Sequence, residues 1–280
     1  MATIEDFRQL SDSDWLTLLI QSVKGQTVQG LDFPKFPQDT FQTSSVGSSG
    51  ERALKEAYCF YDFLKREALK SGVSIKKNST ILDFGTGWGR FLHFFWKDVS
   101  EKGLNGVDVD PVMIDLCRTL GVPGNLQTIQ PLGFLPYEDS SIDVILAYSV
   151  FTHLPENVHL NWMQEFKRVV RPGGIVAMTI EPRRFLEFVA GLKNKTPENN
   201  WHSLLQRFSD YAEHAFPLYD SGQLVYLPTG GGAFREPSVY GDAVCPISFL
   251  EKNWAPEFSI RSHIDDPKQF WQAAVLLQRS

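Results

Sequence analysis

The densest chemistry in this sequence lies in residues 81–95, ILDFGTGWGRFLHFF. Gly85, Gly87 and Gly89 sit between an apolar run and a helical one. Glycine there permits a tight turn and lets a ligand lie against the backbone with no Cβ in the way. The helix start behind such a loop offers free N–H groups to a carboxylate or phosphate. The spacing narrows the ligand. A dinucleotide fingerprint needs its third glycine where Arg90 stands. The Walker pattern needs a Lys after the loop, and none follows. What remains is DxGxGxG, beginning at Asp83. The next apolar run ends in GVDVDP, with Asp108 at its edge. A carboxylate in that place can accept two hydrogen bonds from the vicinal hydroxyls of a ribose. Asp110, followed by Pro111, reads as a helix N-cap.

Acid–base candidates lie further on. Ser149, Phe151, Thr152 and His153 follow a fourth apolar strand, and Glu181 follows a fifth. In open α/β sheets ligands gather beyond the carboxyl ends of the strands. His153 is the candidate base, because an imidazole can take a proton near working pH; Glu181 is the second candidate. His153 could equally brace its loop. Tyr148 and Phe151 read as walls of the same site or as plain core. His93 is expected to pack within its helix, and His159 to lie on a solvated helix face. No histidine pair has the i, i+4 spacing of a metal-binding helix, and Cys59, Cys117 and Cys245 form no CxxC pair. No catalytic metal and no disulfide framework are expected, and a reducing compartment suits such cysteines.

The elements that must position these residues can be read in outline. Residues 1–24 are expected to carry a helix capped by Ser11 or Asp12, and 25–48 to be a polar, Pro-broken stretch. A second helix runs from Ser49 to about Lys70, with Ala53, Leu54, Ala57, Phe60, Tyr61 and Leu64 on one face. Strands follow at 80–84, 104–109, 125–130 and 142–148, each pair bridged by helical or polar sequence. An amphipathic helix at 155–170 and an Arg-Pro-Gly-Gly turn at 171–174 lead into the strand 175–180. Strands alternating with helices mean βαβ units and a parallel sheet. Residues 182–215 read as two helices, 221–242 as loop and short strand, and 246–253 as a helix. Strands at 258–263 and 273–277 close the chain as an antiparallel hairpin. The fold expected is therefore α/β: a Rossmann-like, seven-stranded, mostly parallel sheet with a helical N-terminal extension and a helical insertion. The domain reading is 1–78 as extension or lid and 79–280 as the main domain, with an acceptor-binding insertion at 182–245.

Composition sets bounds. The 280 residues carry 27 Lys+Arg against 33 Asp+Glu, a net charge of −6 that argues against a protein tracking phosphate backbones. An aromatic content of 13% excludes a disordered chain. The first residues lack the basic start and apolar run of a secretion signal, and no stretch approaches the roughly 20 apolar residues of a membrane span. A cytoplasmic protein is expected.

These motifs together resemble the class I S-adenosylmethionine-dependent methyltransferases. The likeness runs from about residue 78 to 182 and rests on DFGTGWGR, GVDVDP, LPYEDSSIDVILAYSVFTHL and FKRVVRPGG in that order. It implies S-adenosyl-L-methionine as cofactor, held by Asp83, Gly85, Thr86, Gly87, Gly89, Asp108, Val109, Phe134 and Tyr148. One departure is visible. Family members often have an acidic or amide residue near the adenine after the third strand; here the region reads IQPLGFLPY, leaving Gln130 or backbone near 132–134. Nucleic-acid acceptors are not expected: Tyr148-Ser149-Val150-Phe151 replaces the Pro-Pro motif of amino-group DNA methyltransferases, and Cys245-Pro246 is the reverse of the cytosine-C5 nucleophile. The resemblance implies methyl transfer to an O- or N-nucleophile on a small molecule of sugar or natural-product type. Two alternatives stay open: an inactive cofactor- or partner-binding module on the same fold, and a nicotinamide-dependent oxidoreductase.

Overall fold

The computed structural model describes residues 1–280. One seven-stranded sheet organises it. Its strands are β1 (Ile81–Phe84), β2 (Leu104–Asp108), β3 (Asn125–Thr128), β4 (Ile142–Ala147), β5 (Val170–Ile180), β6 (Phe258–Ile264) and β7 (Ala273–Arg279). Their spatial order is β6-β7-β5-β4-β1-β2-β3. The first five run parallel, and β7 is antiparallel to both β5 and β6. This is the expected α/β architecture, and the order reverses beside β1, where such sheets open a crevice for ligands.

Strands buried on both faces need apolar residues at successive positions. Val144 and Leu146 of β4 enter the core on one face, and Ile145 and Ala147 the core on the other. On the first face lie α1 (Asp12–Lys24), α3 (Gly50–Lys70), α4 (Arg90–Phe95) and α5 (Pro111–Leu120). On the second lie α6 (Glu156–Val169) and α10 (Ile247–Trp254). Trp15 of α1 is fully buried there, and its indole N–H donates to the carbonyl of His93. Ser11 caps α1, accepting from the amide of Asp14; Asp110 caps α5, with Pro111 in its first turn and Gly121 left-handed at its end.

Four local expectations need correction. The stretch 25–48 is not structureless. It holds a hairpin, with Thr27 paired to Asp32 and Val28 to Leu31, followed by α2 (Asp39–Val46). Gln29 and Gly30 both take positive φ at the turn, the requirement of a tight hairpin, and Gln is an uncommon residue for it. Arg171–Gly174 does not precede β5 but bulges within it: β4 pairs Ile142 with Val170 and then Val144 with Ile175. The insertion holds three helices, α7 (Arg183–Ala190), α8 (Asn200–Gln206) and α9 (Ser209–Asp220). Asn199 caps α8 by accepting from the amide of His202, and α9 tolerates Pro217 near its end. His159 is fully buried rather than solvated, because α10 covers its side of α6; the Trp254 indole donates to its Nε2 at 3.0 Å. His93 packs within α4 as expected, stacked on Phe36.

Val225–Leu227 pairs antiparallel with Asp242–Val244, and this small ribbon shares a separate apolar core with α7 and α9. Glu181, at the end of β5, bridges to Val244 and so ties the ribbon to the main sheet. No helix is long and apolar enough to cross a membrane.

Candidate active site

The glycine loop is folded by its own backbone. The amides of Gly85 and Thr86 both donate to the carbonyl of Val107, drawing the loop over β2. Thr86 Oγ1 donates to Asp83 Oδ2 at 2.8 Å. Asp83 lies beneath the loop, and burial pushes its carboxyl up to about 7. Gly85 has φ 76°, and a Cβ there would come within 2.4 Å of Val150 Cγ2. Gly89, also left-handed, begins α4, and a Cβ would strike Val122 at 2.6 Å. Gly89 thus serves helix packing, while Gly87, with nothing near its missing Cβ, faces open space.

That space is a cavity of about 1060 Å³ at the carboxyl ends of the parallel strands, at the upper end of ligand pockets, roughly 300–1,000 Å³. It brings together Gly85, Thr86, Gly87, Asp108, Val109, Tyr148 and His153 from the sequence expectations. Asp83, Gly89 and Glu181 support its walls without bordering it. Phe134 is 82% exposed and stands outside, as does the exposed Gln130; Ile129 and Pro131 form the wall at that end.

The cavity has two halves. One surrounds Asp108, whose Oδ2 accepts from the Gly87 amide at 2.9 Å and whose Oδ1 accepts from the Asp110 amide at 3.0 Å. Arg235, from the loop between the ribbon strands, reaches the same carboxylate at 3.6 Å. The other half is bordered by α2 and α3, and by Trp201 and Trp271, which are exposed at its rim. Of the other insertion aromatics, Phe208, Phe216 and Tyr219 pack into the insertion's own core, and Tyr211 is exposed.

His153 has defined partners. Its Nδ1 lies 2.7 Å from the carbonyl of Gly241 and 3.8 Å from Asp242 Oδ1. Tyr240 stacks on its ring with centroids 4.6 Å apart. A carbonyl only accepts, so Nδ1 carries the proton and Nε2 keeps its lone pair. Burial disfavours the charged imidazolium and lowers the imidazole pKa, against the opposing pull of Asp242. Glu181 lies one residue further from the cavity. Burial pushes its carboxyl up to about 8, and Gln272, which does border the cavity, donates from its amide to Ser149 Oγ at 2.9 Å.

Sequence reasoning missed two cations. Arg90 registered only as the wrong residue for a dinucleotide loop. It is 6% exposed, forms no ion pair, and donates one hydrogen bond, to the carbonyl of Ala53 at 3.2 Å. Trp88, Phe91 and Tyr148 surround its guanidinium at 5.3–5.9 Å. Arg90 thus borders the cavity as a buried cation that forms no ion pair. Its place, one residue past the last glycine, was a signal available in the sequence. Arg235 had none, since only the folded ribbon carries it to Asp108.

Residues 82–178 match the family described as "Methyltransferase domain". An arsenite methyltransferase of Halobacterium salinarum is 29% identical over 115 residues, 39% of this chain and 29% of that protein. An uncharacterized methyltransferase of Mycobacterium marinum is 32% identical over 101 residues, 36% of this chain and 38% of its own. An Arabidopsis thaliana tRNA (carboxymethyluridine(34)-5-O)-methyltransferase is 31% identical over 38% of this chain and 25% of its own. The matched segment thus spans well under half of each of these relatives. Among solved structures, a Pyrococcus horikoshii OT3 protein superposes with a TM-score of 0.53 at 17% identity, covering 85% of this chain and 95% of that one. An S-adenosylmethionine-dependent methyltransferase of Clostridium acetobutylicum does so at 0.53 and 11% identity, covering 79% and 91%. These two speak for the fold. Through its residues 82–178 and the sheet order around them, the chain is similar to the class I S-adenosylmethionine-dependent methyltransferases.

Proposed function

We propose that this protein transfers a methyl group from S-adenosyl-L-methionine to an oxygen or nitrogen of a small-molecule acceptor. The observation that carries the reading is the continuity of one cavity from the glycine loop and Asp108 to the aromatic half under α2, α3 and the insertion. When bound, the cofactor supplies an electrophilic methyl group on a sulfonium.

The residues present suit that group. Asp108 offers a carboxylate to ribose hydroxyls, with its rotamer fixed by two backbone amides. Arg90 offers a buried, uncommitted guanidinium to the amino acid carboxylate. Arg90 stands where a dinucleotide fingerprint needs its third glycine, which counts against a nicotinamide dinucleotide. His153 borders the cavity with Nε2 free of any protein partner, so it is the group to receive the acceptor's proton. Trp201 and Trp271 present apolar faces to an acceptor at the rim of the cavity, where alignment of the reactants is the main task. The net charge of −6 favours a sugar or natural-product hydroxyl or amine over RNA, although one relative is a tRNA methyltransferase.

Incubation with a tritium-methyl donor checks this against two acceptor pools, a panel of hydroxylated and amino small molecules and total tRNA. Label is expected in the small-molecule pool. Label confined to tRNA would overturn the acceptor assignment.

A further inference from the structure

The insertion delivers more to the cavity than a wall. Its ribbon strand Asp242–Val244 runs directly beside the loop that carries His153: Gly241 N donates to the carbonyl of His153, and Ala243 N to that of Thr152. Two acceptors from this strand then meet one ring nitrogen. The Gly241 carbonyl lies 2.7 Å from Nδ1, and Asp242 Oδ1 lies 3.8 Å from it. Asp242 is itself fixed. It is 3% exposed, and its Oδ2 accepts from Thr229 Oγ1 at 2.7 Å. Tyr240, the residue before Gly241, holds the ring from its face at 4.6 Å.

We infer that Asp242, together with the Gly241 carbonyl, is a positioning pair that holds His153 as the Nδ1–H tautomer and keeps Nε2 basic for the acceptor's proton. The inference rests on the methyl-transfer reading above. In the step concerned, the acceptor's O–H or N–H bond breaks with its electron pair left on the acceptor atom. The proton forms the Nε2–H bond, and the resulting imidazolium is stabilised by the Asp242 carboxylate beside its other nitrogen. The insertion therefore sets the base as well as bordering the acceptor, so binding and proton transfer share one element. Two charged groups act on the ring, with opposite signs: Asp242 favours its protonated form and Arg235 opposes it.

The test uses the full chain with histidine labelled by nitrogen-15, and His153 identified by comparison with His153→Gln. Wild type is expected to show the Nδ1–H tautomer. Asp242→Asn removes a carboxylate within 4 Å, so the His153 titration midpoint should fall by about one unit. Arg235→Ala should move it the other way. An Nε2–H tautomer in wild type overturns the inference even where Asp242→Asn does not fold, and so does an unmoved midpoint in a folded Asp242→Asn. Titration of the same sample with S-adenosylhomocysteine separates the two claims. Absent binding overturns the methyl-transfer reading, whereas intact binding with the wrong tautomer overturns only the role of Asp242.

Discussion

Arg90 is a guanidinium without a counter-ion, and that sets a testable opposition between stability and function. Burial lowers its pKa, and the Ala53 carbonyl, three aromatic faces and the more distant Glu56 and Asp83 carboxylates compensate only in part. Burying a charge without a partner destabilises a protein. Arg90→Met should therefore leave the melting temperature of the ligand-free protein unchanged or raise it. The same change should weaken S-adenosylhomocysteine binding at least tenfold, since each charge-assisted hydrogen bond contributes about 1.5–3 kcal/mol. A lower melting temperature with unchanged affinity would show Arg90 to be structural. At this scale the sequence was legible where backbone chemistry dictates residue type. The glycines, Asp108 and the cap at Asp110 follow from local rules, and Gly85 and Gly87 border the cavity. Phe134 was not legible, because whether an aromatic near the adenine end turns inward depends on its loop. Here Pro131 takes the wall, its carbonyl accepting from the Trp162 indole, and Phe134 is left in solvent.

At the scale of elements, the N-terminal helices share a core with the sheet. Trp15 lies between Phe33 and Trp96, and Asp12 accepts from Lys65 and Lys97 at 2.7 Å. Those lysines also pair with Asp98, so α1, α3 and the end of α4 are joined by charge as well as by apolar contact. Trp15→Ala should cost about 3–5 kcal/mol, as large aromatic truncations in cores do. Because α1 packs on α3 and α4 within the core they share with the sheet, unfolding followed by fluorescence and by circular dichroism should remain a single coincident transition. A separate early transition for residues 1–78 would show them to be an independent unit. The order of strands and helices was readable from alternating periodicities, and β4 and the closing hairpin stand where apolar runs required them. What escaped was set by partners distant in sequence. His159 is buried only because α10, some 90 residues later, packs over it, and the bulge at Arg171–Gly174 is defined only by its pairing with β4.

Across the whole molecule, buried titratable groups give stability a worked pH dependence. Burial raises Glu181 to about 8 and Asp83 to about 7, so the folded state keeps protons that the unfolded chain releases, and stability falls as pH rises toward those values. Burial lowers His93 to about 4 and His159 to about 3, so the unfolded chain binds protons that the folded state refuses, and stability falls as pH drops below their ordinary 6.5. The two trends oppose each other at acid pH. From 7 to 8, Glu181 dominates among these four groups. Chemical denaturation should therefore show stability declining over that range by up to about 1.4 kcal/mol per pH unit, the limit for one proton. Glu181→Gln should flatten the decline, and an equal slope in the variant would contradict the assignment. Cofactor binding underlies every role assigned to the cavity, and calorimetric titration of wild type and Asp108→Ala with S-adenosylhomocysteine measures it. Wild type is expected to bind with a Kd of micromolar order, and the variant at least tenfold more weakly through loss of charge-assisted hydrogen bonds. No heat and no thermal shift with wild type would contradict the account, and equal affinity in the two proteins would remove Asp108 from the site.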